Sequence, residues 1–197
     1  MRRILITLLF VIVGVTVALS FYQPPMRLMP APTVFLNGVP NAFAANPALA
    51  KTNMIEIFYA TNRLPVGPRN NRTYAVVPGR DLQLGVATIR IGGPAKTWEK
   101  IYAMSTNQVD DQRPRLNLLS LAEMATVDDG ASDAGRLSLA TRAWLALVNG
   151  AIDRSVDKDI IIYVHGANST VERAAGQAAQ LRHFTGQNAV VLLFAWP

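Results

Sequence analysis

The residues best placed to do chemistry stand together at His165-Gly166-Ala167-Asn168, followed by Ser169 and, three positions on, by Glu172. Ser-x-x-Glu is the pattern of a capping box, so this tetrapeptide should run straight into a helix N-terminus. A turn in that place offers backbone N–H groups without helical partners, together with the positive end of a helix dipole. The chemistry open to it is the stabilisation of negative charge. Gly166 and Ala167 are the candidate donors, and His165 and Asn168 flank and support them. His165 is expected to brace the turn by hydrogen bonding.

Other reactive groups are few. The absence of cysteine excludes disulfides, thiolate metal sites and a cysteine nucleophile. The two histidines, His165 and His183, have no carboxylate at a telling spacing, so neither a metal nor a cofactor is expected. His183 should lie on a solvated helix face. Gly130-Ala131-Ser132-Asp133-Ala134 approaches the Gly-x-Ser-x-Gly elbow of serine nucleophiles. The stretch before it is no buried strand, however, and Ser132 reads as a loop or cap residue. No nucleophile, acid or catalytic base is therefore assigned within this sequence.

The elements that must position the turn can be read on both sides of it. Ile160–Val164 is an unbroken, mostly β-branched apolar run, the composition of a strand buried on both faces of a parallel sheet. A helix is expected over 170–184, with Val171, Ala174, Ala175, Ala178 and Leu181 inward and Gln177, Gln180 and Arg182 outward. A second apolar run, 189–194, follows. Strand, helix and strand make a βαβ unit, and the turn lies at the carboxyl end of its first strand, where open α/β sheets gather their ligands. Upstream, 54–60 and 84–91 read as strands, 62–80 as a surface loop, and 116–125 as a short helix. Residues 128–135 read as a polar loop. Leu137, Ala140, Trp144, Leu147, Val148 and Ala151 recur at helical spacing, with Trp144 expected in the core.

The N-terminus has a different character. Arg2-Arg3 precedes residues 4–21, which carry no charge and no polar face. As a helix this run would be about 27 Å long, close to a bilayer core. Two readings stay open: an uncleaved transmembrane anchor, and a signal peptide cut near Ala18-Leu19-Ser20. Either places the remainder outside the cytoplasm, in the cell envelope or secreted. Residues 22–51 hold six of the twelve prolines and read as a linker, with the folded domain over 52–197. The net charge of +6 is dispersed, without a basic run interleaved with aromatics, which argues against nucleic acid as a partner.

Several stretches, in order, resemble one family. They are Phe58-Tyr59-Ala60-Thr61-Asn62-Arg63, Leu84-Gly85-Val86-Ala87-Thr88-Ile89-Arg90-Ile91-Gly92, Thr97-Trp98-Glu99, Ile162-Tyr163-Val164-His165-Gly166-Ala167-Asn168, Ala178-Ala179-Gln180-Leu181 and Phe194-Ala195-Trp196-Pro197. The chain is similar here to exported bacterial α/β-hydrolases of unknown function, a lipase- and esterase-like group. Ala167 and Val171 depart from the family, which has aromatic residues there. The resemblance implies the N-terminal part of an α/β-hydrolase sheet, with Ile160–Val164 as its third strand and 189–194 as its fourth, inserted between the second and third. It also implies that the Ala167 N–H contributes to an oxyanion hole. In that fold the nucleophilic serine, the acid and the catalytic histidine follow the fifth strand, and none of the three is found in this sequence. The expected function is thus the N-terminal part of an envelope serine hydrolase acting on esters or other acyl compounds, inactive alone. The alternative is a membrane-tethered, non-catalytic binding module.

Overall fold

The computed structural model describes residues 7, 11–15, 24–30, 32–33, 52–93, 113–128 and 137–197. Within them five strands form one mixed sheet: β1 (Met54–Val66), β2 (Thr73–Ile91), β3 (Leu116–Val127), β4 (Ile160–Val164) and β5 (Val190–Ala195), in the order β3-β2-β1-β5-β4. β1 and β2 pair antiparallel, as do β2 and β3, whereas β5 runs parallel to both β1 and β4. Helix α1 (Leu139–Arg154) and helix α2 (Val171–Phe184) cover opposite faces of the sheet. The fold is therefore of the α/β class.

The two faces follow from strand periodicity. Ile55, Ile57 and Tyr59 of β1 join Val191, Leu193 and Ala195 of β5 beneath Val171, Ala174, Ala175 and Ala178 of α2. The alternate residues Phe58, Ala60, Leu192 and Phe194 meet Trp144, Val148 and Ile152 of α1. Trp144 sits in this second cluster as expected, edge-on to Phe58 at 5.8 Å, and its indole donates to Gly85 O at 3.0 Å. Gly85 cannot be larger, because a Cβ there would collide with the Tyr59 ring and Ala122 O.

Three readings of the sequence are corrected. The segment expected as a helix over 116–125 is strand β3: Leu121, Glu123 and Ala125 alternate inward, and pairing with β2 overrides the helical preference of its Leu, Ala, Glu and Met residues. The expected loop over 62–80 is mostly strand, since β1 continues to Val66 and β2 begins at Thr73. Pro65 and Pro78 fall at register irregularities in that hairpin, where a missing N–H is tolerated. The third correction follows from the first. With β3 on the outer edge of β2, the final strand pairs with β1, so it lies between β4 and β1 and not beside 84–91.

β4 lies at the sheet edge. Ile161 and Tyr163 pack toward α2, but Ile160, Ile162 and Val164, on the other face, are 43%, 64% and 54% exposed. The composition of a doubly buried strand thus occurs where the described residues cover only one face.

Residues 24–30, within the expected linker, pack on the domain. Leu28 is fully buried, Arg27 bridges to Arg115, and Met26 lies against Gly176 of α2. This strap covers Gly176 and Gln180 of α2, the latter expected to be outward. Gln180 accepts from Met29 N and is buried, and Arg182 is half-buried with its guanidinium donating to Glu56 O. His183 is corrected too: it is 1% exposed, one turn beyond Ala179 on α2. Most of residues 1–21, the loop containing Ser132, and Trp98 lie outside the described residues. Among the described residues no helix is long and apolar enough to cross a membrane.

Candidate functional site

The site is built where β4 and β5 end beside β1, whose pairing with β5 stops at Thr61. β4 hands over to the 165–170 turn, and Thr170 caps α2, its hydroxyl accepting from Arg173 N at 3.2 Å. The cap is therefore Thr170, one residue later than the Ser169 expected. Ser169 is buried behind the turn, and its carbonyl serves as an acceptor there. Asn168 takes φ 57°, the left-handed conformation that asparagine tolerates better than most residues and that reverses the chain between strand and helix.

Gly166, Ala167 and Asn168 are exposed, and neither the Gly166 nor the Ala167 N–H donates to a described residue. A Cβ at Gly166 would meet nothing within 4 Å, so the space over the turn is open to a ligand. His165, by contrast, is buried. Its ring lies flat against the Trp196 indole, with centroids 5.5 Å apart and planes within 2°. Its Nε2 faces Trp196 O at 3.1 Å and its Nδ1 faces Gly166 O at 2.5 Å, so a neutral ring donates to one of them, as its tautomer dictates. The Trp196 indole N–H returns a bond to His165 O at 2.9 Å. The turn after β4 and the exit of β5 are thus tied to each other.

β1 supplies a further tie, from residues given no role in the sequence reading. The Thr61 hydroxyl donates to Ala195 O at 2.5 Å and accepts from Arg63 N at 3.2 Å. Arg63, 2% exposed, donates from Nε to Trp196 O and from Nη2 to Ser169 O, each at 2.7 Å. Burial pushes its pKa down from the ordinary guanidinium value, and the nearby Glu172 opposes that shift. The available signal was the polar end of an otherwise apolar strand, Thr61-Asn62-Arg63, but its partners lie more than a hundred residues away.

A second polar cluster lies away from the turn. Glu123, buried, pairs with Arg72 at 2.6 Å and Arg69 at 3.1 Å, and the Tyr59 and Tyr74 hydroxyls meet at 2.9 Å. Burial raises both phenols, Tyr74 to about 12. These groups hold the β1–β2 hairpin against β3. Among the described residues no group of three or more His, Cys, Asp or Glu could hold a metal ion.

A mixed α/β sheet with an open, helix-capped turn at the carboxyl edge of its parallel strands is consistent with part of an α/β-hydrolase fold. Residues 140–197, which contain all but the first residue of α1, with β4, the turn, α2 and β5, match the family model described as Alpha/beta hydrolase of unknown function (DUF900), and this match supports an α/β-hydrolase family for this part of the chain. No curated protein and no solved structure matched it.

Proposed function

We propose that this chain supplies the oxyanion-binding part of an α/β-hydrolase acting on esters or related acyl compounds, and that the nucleophile comes from outside these residues. The observation that carries the reading is the pair of exposed N–H groups of Gly166 and Ala167, without partners among the described residues, on a turn fixed from behind. Donors held in place before the reaction stabilise an alkoxide without reorganising, which is how oxyanion holes lower barriers. His165 is too enclosed by the Trp196 ring and two carbonyls to serve as a base, and acts as a brace.

Replacement of Ala167 by proline deletes one donor. In the chain continued through its natural downstream sequence, Ala167→Pro should lower kcat for an activated ester by about 10²–10³-fold with little change in KM. An unchanged kcat in a variant that melts like the parent would remove the turn from the mechanism.

The uncharged run over 4–21 supports a second element of the proposal: the domain is held at a membrane and lies outside the cytoplasm. A reporter enzyme active only outside the cytoplasm, fused after Pro197, should work. Activity from a cytoplasm-restricted reporter instead would reverse this topology.

A further inference from the structure

We infer that Arg63 is a positioning residue, whose guanidinium locks the 165–170 turn to the exit of β5 and so sets where the Gly166 and Ala167 donors point. Its two bonds, to Trp196 O and Ser169 O, reach from β1, just beyond its pairing with β5, to both other segments of the site. Trp196 O is the shared node, since His165 Nε2 faces the same oxygen, and Ser169 O belongs to the last residue before the α2 cap. Without Arg63 the turn would keep, among the described residues, the His165–Trp196 contacts and its own helix.

The cost of this arrangement argues for a specific use. A buried guanidinium ordinarily has a carboxylate beside it. Among the described residues both ion pairs belong to Glu123, and the carboxylate that acts on Arg63, Glu172, is not within ion-pair distance of it. Arg63 Nη1 is buried without a hydrogen-bond partner among them as well. A merely space-filling position would be better served by an apolar residue. What guanidinium offers is a rigid fork that satisfies two carbonyls at a fixed separation, which a lysine ammonium on a flexible stem does not. The positive charge also lies behind the turn on which negative charge would develop.

Two of the three tryptophan indoles, those of Trp144 and Trp196, allow a direct test on the full chain in detergent micelles. The Trp196 indole N–H bonds His165 O at the site, whereas the Trp144 indole N–H bonds Gly85 O on the opposite face. In ¹⁵N-labelled protein, Arg63→Met should shift the Trp196 indole signal and speed its solvent exchange by about tenfold or more, leaving Trp144 unchanged. Arg63→Lys, which keeps the charge but reaches one carbonyl, should give an intermediate effect. It carries the same comparison if Arg63→Met does not fold. A Trp196 signal indifferent to both substitutions, or both indoles loosening together, would reduce Arg63 to a general stabiliser and overturn the inference. The inference rests on the oxyanion reading for its catalytic meaning alone. Indole exchange is read without hydrolysis and the Ala167→Pro effect through it, so either can fail while the other stands.

Discussion

His183 shows how a single side chain couples the packing of α2 to pH. Burial lowers its pKa to about 4 from the ordinary 6.5, so between these values the unfolded chain binds a proton that the native chain refuses. Stability is therefore complete above about pH 6.5 and falls as the pH drops toward 4, by about 2 kcal/mol between pH 7.5 and pH 5. Denaturant midpoints at those two values, for the parent chain and for His183→Leu, isolate the contribution, because other groups titrate in both. The variant should lose less stability on acidification by about that amount, and equal pH slopes would contradict the buried, neutral histidine. The burial was not legible in the sequence, where the position sits among Gln180, Arg182 and Thr185. Arg63 was hidden for a similar reason: a lone arginine at a strand end looks solvated until Trp196 and Ser169 are brought over it. The turn residues could be read because their neighbours in sequence are also their neighbours in space.

At the scale of elements the same distinction holds. β4, α2, β5 and α1 were legible from local periodicity, and so were the central parts of β1 and β2. β3 was not, since its residues favour helix and become strand only through pairing with β2. The strap over 24–30 was hidden by its prolines, which exclude regular structure but not packing. Leu28 alone, fully buried, is worth about 1.5–3 kcal/mol of apolar burial. A shortened domain should therefore begin no later than Pro24. In such a chain β4 determines behaviour in solution. Its five residues carry neither charge nor proline, and the side chains of Ile160, Ile162 and Val164 stand open beside an edge. An edge of this kind is a template for intermolecular pairing. Sedimentation velocity across a concentration series should show self-association of residues 24–197. Ile162→Lys should shift the population toward monomer with a change in stability within about 0.5 kcal/mol, since the side chain is 64% exposed. A parent chain that stays monomeric throughout would show that β4 is not an open edge.

For the whole molecule, the sheet divides the labour. The antiparallel β1–β2–β3 part, pinned by Glu123 and its two arginines, gives a rigid flank. The parallel β1–β5–β4 part ends in the turn, and Thr61 and Arg63 of β1 join the two. In the proposed function this platform presents donors to a substrate oxygen, and the group that attacks the carbonyl comes from outside the described residues. The measurement that tests this most directly is labelling by a fluorophosphonate, which reacts with activated serines, followed by mapping of the modified residue. The 197-residue chain should remain unlabelled, and the chain continued through its natural downstream sequence should be labelled on a serine beyond Pro197. Label on any serine of the 197-residue chain, Ser132 and Ser169 included, would contradict the account, as would a continued chain with no label at all.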